Sequence, residues 1–194
     1  MADAALDIPR MSAKDYLALE KQSPVRHEFV NGLVYAMAGA SKRHDAIALA
    51  VLTALDARLS PPCQPFSSDV KVHIRSAPDE CFYYPDMSIT CSDLDKDPYL
   101  VKLPTLIVEV LSRTTEDADR GYKFANYRTL PSLQEYVLVH QARPQVELYR
   151  RRNNWEKENF EFEAEITLES VGVTLPISAF YRRVGFPPGP AEEM

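Results

Sequence analysis

Residues 105–111 read Thr-Leu-Ile-Val-Glu-Val-Leu, a run of branched apolar residues of strand length. A strand that is apolar at successive positions is covered on both faces, so this segment predicts the central strand of a sheet with layers on either side. Glu109 interrupts the run. A buried carboxylate costs several kcal/mol, roughly, unless it is paired or holds a metal. Two bland accounts compete with a functional one: a strand end that reaches solvent, or a pair with a buried arginine or lysine.

The rest of the chain supplies the layers. Ser12 with Asp15 three residues on resembles a capping box, and predicts a helix over 12–22 that Pro24 closes. Arg26–Val30 and Leu33–Ala38 read as strands joined by Asn31-Gly32, a strong hairpin signal. Residues 42–59 carry apolar side chains at helical spacing behind Ser41, and Pro61-Pro62 ends the element. Residues 64–75 alternate as one strand, with Val70, Val72 and Ile74 on one face and Asp69, Lys71, His73 and Arg75 on the other. Ser76–Glu80 reads as a turn, 81–91 as a strand broken by Pro85, and 92–104 as a polar loop. A helix over 115–129 follows the central strand, capped by Thr114 or Thr115 and stopped by Pro131. Strands are expected at Glu135–His140, Gln145–Arg150, Trp155–Phe162 and 165–173, with a turn at 152–154. Pro176–Tyr181 reads as a short helix, and the tail Pro187–Met194 as flexible. The order predicts an α/β (α+β) domain with a central mixed sheet flanked by helices.

A chain of 194 residues, 45% hydrophobic, suits a single domain over 1–194, with its core at about 11–183. No apolar run approaches the roughly 20 residues that span a bilayer. The acidic start lacks the layout of a signal peptide, so a cytoplasmic protein is expected. Cys63, Cys81 and Cys91 are odd in number and lack C-x-x-C spacing, which predicts reduced thiols and no structural zinc. The net charge of -6 gives no overall basic footprint for nucleic acid. His27, His44, His73 and His140 form no H-E-x-x-H pair, and neither a phosphate-binding glycine loop nor a nucleophile elbow is present. No organic cofactor and no membrane partner are expected.

Four further positions invite chemistry. Asp86 follows Pro85, where the missing donor implies an edge, bend or bulge, and bulges often re-aim side chains near active sites. Lys123 lies on the helix after Glu109; a pair with Asp119 at i, i+4 is its simple account, but the layout also lets it fold back towards the strand. Glu28 and Asp69 sit in strand-like surroundings where an outward orientation would explain them.

Taken together, Pro85-Asp86, Ile107-Val108-Glu109-Val110 and Asp119-Arg120-Gly121-Tyr122-Lys123 resemble the PD-(D/E)XK nuclease superfamily. More closely they resemble its Uma-type family of restriction endonuclease-like proteins. The resemblance spans about residues 11–183 and includes Arg26-His27-Glu28-Phe29-Val30-Asn31-Gly32, Met37–Ser41 with Arg43-His44, Ser67–Val72 and Tyr136–Val139. It implies a restriction endonuclease-like fold. It also implies Mg²⁺ or Mn²⁺ held by Asp86, Glu109 and the Val110 carbonyl, with Glu28 contributing and Lys123 orienting or activating water. In the general superfamily pattern the lysine lies two residues after the acid, where this chain has Leu111; the Uma-type pattern moves it to the following helix, matching Lys123.

The chemistry is coherent. Hard oxygen ligands suit Mg²⁺, which keeps waters, and a lysine offsets charge that develops at the phosphate. The expected substrate is DNA, with Lys42, Arg43, Lys71, Arg75 and Arg150–Arg152 as candidate phosphate contacts. A homodimer is expected, since duplex cleavage needs two cuts. The alternative class is a nuclease-fold module that binds DNA or a protein without cutting.

Overall fold

The computed structural model describes residues 10–76 and 79–186. Part of the expected Ser76–Glu80 turn, the acidic start and the Pro187–Met194 tail lie outside the described residues.

Helix α1 (Ala13–Glu20) starts where the capping signal placed it: Ser12 Oγ accepts from the Asp15 amide at 3.1 Å and donates to its carboxylate at 2.7 Å. The hairpin β1 (His27–Val30) and β2 (Leu33–Ala36) turns through Asn31 at φ 50° and Gly32 at φ 94°. Two successive positive φ values give the turn whose twist matches paired strands. Ser41 caps α2 (Lys42–Asp56) by accepting from the His44 amide at 3.1 Å.

The next stretch departs from the expectation. The single strand expected over 64–75 is two, β3 (Gln64–Ser67) and β4 (Lys71–Ser76), with a tight turn in which the Val70 amide donates to the Ser67 carbonyl. The apolar alternation runs through that turn, so periodicity alone does not reveal it. The two strands enter different sheets. The same holds for β5 (Asp79–Tyr83) and β6 (Met87–Thr90), which separate at Tyr84-Pro85-Asp86. The loop expected over 92–104 contains a short strand, β7 (Leu100–Val101).

After β8 (Leu106–Leu111) the expected single helix is also divided, into α3 (Glu116–Arg120) and α4 (Tyr122–Tyr127) at Gly121. A Cβ on Gly121 would lie 2.7 Å from the Asp117 carbonyl oxygen, so only glycine fits the bend. The remaining strands are β9 (Glu135–His140), β10 (Gln145–Arg150), β11 (Lys157–Glu161), β12 (Glu165–Leu168) and β13 (Val173–Pro176), followed by a 3-10 turn at Ile177–Tyr181.

The strands form a six-stranded mixed sheet in the order β11-β10-β9-β8-β6-β3, a five-stranded sheet β2-β1-β5-β4-β7, and the pair β12-β13. Strand β8 lies inside the larger sheet, antiparallel to β6 and parallel to β9. Its Leu106, Val108 and Val110 join the α2 core with Val137, Val139 and Phe180. Ile107 and Leu111 join the other core with Phe124, Tyr127 and Tyr136. All six β8 residues are buried, as a strand covered on both sides requires. By alternation Glu109 belongs to the Ile107 and Leu111 side.

The cysteine expectation is corrected in part. Cys63 and Cys91 form a disulfide, and Cys81 is free and buried. The two bonded residues flank the first cross-strand pair of β3 and β6, Gln64↔Thr90, so strand pairing brings together residues 28 apart in sequence. Among the described residues, no helix is long and apolar enough to cross a membrane.

Candidate active site

Five separated segments converge beside the C-terminal half of β8. Asp86 comes from the crossing between the two large sheets, Glu109 from β8, Glu28 from β1, and Asp119 and Lys123 from either side of the Gly121 bend. The pairing of β6 with β8 ends at Met87↔Val108, so the next backbone groups have no ladder partner on that side. The acids take their place: the Val110 amide donates to Asp86 Oδ2 at 2.7 Å, and the Asp86 amide donates to Glu109 Oε2 at 3.0 Å. Each carboxylate is therefore held by the other residue's neighbourhood, and Pro85 is what removes Asp86 from the strand to allow it.

Lys123 is 7% exposed and Glu109 4%. The lysine Nζ lies 2.8 Å from Glu28 Oε1, 3.5 Å from Asp119 Oδ1 and 3.8 Å from Glu109 Oε1. Both accounts of Lys123 offered by the sequence hold at once: it pairs with Asp119 on its own segment and faces the strand acid. Burial opposes its charge, but Glu109, Glu28 and Asp119 hold the ammonium well above an ordinary lysine. Burial pushes the Glu109 carboxyl well above the usual range; Lys123 works against that rise, while Asp119 and Asp86 add to it. Asp119 is raised by burial for the same reason, again countered by Lys123.

Two members were not singled out by sequence reasoning. His44, in the first turn of α2, places Nε2 3.2 Å from Asp86 Oδ2. Burial lowers its affinity for a proton, but Asp86 and the Val110 backbone overcome this and leave it raised. Asp119 belongs to the segment that carries the resemblance, but the sequence gives it no role beyond pairing with Lys123. The signal for His44 is its place three residues after the Ser41 cap, which fixes its direction; the acid it meets, Asp86, lies 42 residues away in sequence.

Other candidates fall elsewhere. Asp69 is exposed and pairs with Arg26. Arg150 is buried, bound to Glu135 and Glu158 and donating to the Thr167 carbonyl. It pairs with Glu135 at the start of β9, the end opposite to Glu109, and Arg151 and Arg152 are spent on loop carbonyls and Glu169. None of the three offers a free guanidinium to the site. Lys71 donates to the Tyr84 hydroxyl at 3.0 Å.

Hard carboxylate oxygens are the donors a divalent cation of the Mg²⁺ class takes. Glu28, Glu109 and Asp119 face one ammonium, Asp86 adds a fourth acid beside Glu109, and Asp119 Oδ1, buried, has no hydrogen-bond partner. That excess of negative charge fits a cation. Among the described residues, however, no three side chains of His, Cys, Asp or Glu are already arranged around a single point. The acids lie beside a cavity of about 400 Å³ whose wall includes His44, Asp86, Glu109, Asp119 and Lys123.

A mixed sheet whose inner strand carries a buried acid beside a second acid at a strand break, with helices across the connection, is a restriction endonuclease-like fold. The chain belongs to the Uma2 family, described as "Putative restriction endonuclease", whose profile matches residues 13–178. Two similar proteins come from Synechocystis sp. The uncharacterized protein slr1290 is 34% identical over 182 residues, covering 92% of this chain and 95% of that one. The uncharacterized protein sll1609 is 33% identical over 145 residues, covering 73% and 81%. A solved structure from Anabaena variabilis, described as "a putative nuclease belonging to DUF820", superposes with a TM-score of 0.72. It covers 89% of this chain and 98% of that one at 16% identity, a likeness of fold.

Proposed function

We propose that this protein is a divalent-metal-dependent endonuclease that hydrolyses DNA phosphodiester bonds, with Asp86, Glu109 and the Val110 carbonyl as ligands of Mg²⁺ or Mn²⁺. The observation that carries the reading is the meeting of Asp86, Glu109, Asp119 and Lys123, from separate elements, at one cavity wall, with Glu28 paired to Lys123 from the adjoining cavity. A structural ion pair needs two partners; three acids around one buried ammonium, with Asp86 beside Glu109, cost stability and call for a use. Family membership supports the same class.

When bound, the cation supplies Lewis acidity at the phosphate and lowers the pKa of a coordinated water. The chain's own groups do the rest. Pro85 and the Val110 amide fix Asp86, and the Asp86 amide fixes Glu109, so the two carboxylates are oriented before any ligand arrives. Glu28 holds Lys123 at the cavity, where its ammonium offsets negative charge that develops on the phosphate oxygens. Glu28 thus acts through Lys123.

The test is cleavage of supercoiled plasmid with Mg²⁺ or Mn²⁺ by wild type, Asp86→Ala and Glu109→Ala. Loss of at least about 100-fold in rate for both variants is expected, the scale on which single charge-stabilising groups act. Cleavage that survives both substitutions sinks the assigned site. The second reading, a fold that binds without cutting, draws on the absence of a preformed cluster of three ligands among the described residues. Calorimetric titration separates the two, because a site that binds no divalent ion at millimolar concentration is not a metallonuclease.

A further inference from the structure

A phosphodiester chain cannot approach a cluster of four carboxylates unless cations stand beside it, and the net charge of -6 supplies no general attraction. The cationic groups near the site are therefore informative. Next to the acid cluster lies a cavity of about 590 Å³ whose wall includes Glu28, Lys123, Ser112, Arg113 and Gln141. A further cavity of about 250 Å³ continues from it: Ser112, Arg113 and Gln141 line both, and Arg43 and His140 complete the second wall. That volume is about eight waters' worth of liquid, ample for a phosphate group and its hydration.

We propose that this second cavity is a subsite for a backbone phosphate flanking the scissile one, bound by Arg113 and Arg43. The proposal rests on the nuclease reading and extends it to substrate placement. Arg43 is held in place: Nε donates to the Gln141 carbonyl at 2.8 Å, one terminal nitrogen donates to the Gly185 carbonyl at 2.9 Å, and the guanidinium stacks 4.6 Å from the Phe186 ring centroid. Its charge is fixed by neutral partners, so no carboxylate cancels it. Arg113 is exposed, two residues beyond the end of β8, and among the described residues it makes no ion pair and no side-chain hydrogen bond. It is a free guanidinium at the wall shared by the two cavities. Among the described residues, the single acid that lines the second cavity, Glu116, is engaged by Arg120. The sign of charge thus changes from the acids beside β8 to the arginines beyond its end, and a strand of DNA laid along both cavities presents one phosphate to each. Such a contact reads charge and not sequence.

The test is DNA binding by the full chain in Ca²⁺ and in chelator, measured by fluorescence anisotropy with a short labelled duplex across a salt series. Arg113→Ala removes no contact of the fold, so it reports on binding alone. It is expected to raise Kd several-fold and to make the slope of log K against log salt shallower by about 1, the loss of one phosphate contact. Arg113→Lys keeps the charge and is expected to keep the slope. An Arg113→Ala protein with wild-type affinity and slope overturns the subsite while leaving the nuclease reading intact. Arg113→Lys losing as much slope as Arg113→Ala also overturns it. Wild-type protein that binds no DNA overturns both readings, whereas plasmid cleavage surviving Asp86→Ala sinks the metal site and leaves a slope change at Arg113 standing.

Discussion

Replacing Lys123 by methionine removes the one ammonium that compensates Glu28, Glu109 and Asp119, and keeps most of the side chain's volume. Both Lys123 and Glu109 are buried, so water does little to screen the carboxylates left behind. Removing one partner of a buried ion pair costs about 3–5 kcal/mol, because the other charge stays buried without compensation. For a chain of this size that is a fall of about 10 °C in Tm. The cost depends on pH, with a definite sign. Lys123 now restrains the upward shift of Glu109 and Asp119, so both carboxyls rise further without it. An acid whose pKa is raised on folding binds more protons folded than unfolded, and its presence destabilises as pH rises above the ordinary carboxylate range. The deficit of Lys123→Met is therefore largest near pH 8 and shrinks towards pH 4, as the folded acids, whose values are raised, take up protons. Thermal and urea denaturation followed by circular dichroism across that range measure it. A variant as stable as wild type at pH 8, or a deficit that does not shrink on acidification, refutes the account of Lys123 as the cluster's counter-charge. Millimolar Mg²⁺ is expected to raise the Tm of the variant more than that of wild type, since a cation that binds only the folded state stabilises it by mass action.

Three other outcomes are expected. Burial opposes ionisation of Glu147, but hydrogen bonds with His140, Arg120 and Tyr149 hold its carboxyl down at about 2, so its contribution is complete above the ordinary value and is lost as pH falls towards 2; Glu147→Gln should flatten the acid limb of the stability curve. Gly121→Ala drives a Cβ into the Asp117 carbonyl, and should cost about 1–3 kcal/mol by urea denaturation while lowering cleavage, because the bend sets the spacing of Asp119 and Lys123. The Cys63–Cys91 disulfide closes a loop of 28 residues, so Cys63→Ser should destabilise oxidised protein by about 3–4 kcal/mol and leave fully reduced protein almost unaffected.

Most of the elements were legible because their signals are local. The caps at Ser12 and Ser41 and the Asn31-Gly32 turn depend on residues within three or four positions, and each sits where its chemistry requires. The failures share a cause. Strand periodicity is silent about which sheet a strand joins, so β3 and β4 read as one element although a tight turn sends them to different sheets. The bend at Gly121 was hidden because an acid-rich first turn followed by Phe124 and Tyr127 fits one continuous helix equally well. The disulfide was hidden because strand pairing, not cysteine spacing, brings residues 63 and 91 together.

The candidate site divides in the same way. By itself the sequence placed Glu109 in a near-continuous apolar run that predicts a strand covered on both faces, and put an edge, bend or bulge at Pro85-Asp86. Only the tertiary structure decided what surrounds them. It brought His44 to Asp86, set Lys123 among three acids, left Asp119 Oδ1 without a hydrogen bond, and turned Arg150–Arg152 away to the opposite end of the sheet. The physical reason is range. Burial and capping follow from neighbours in sequence, whereas electrostatic partnership depends on distances of a few ångströms between residues tens of positions apart, and only the crossing of the two sheets at Tyr84-Pro85-Asp86 fixes those distances.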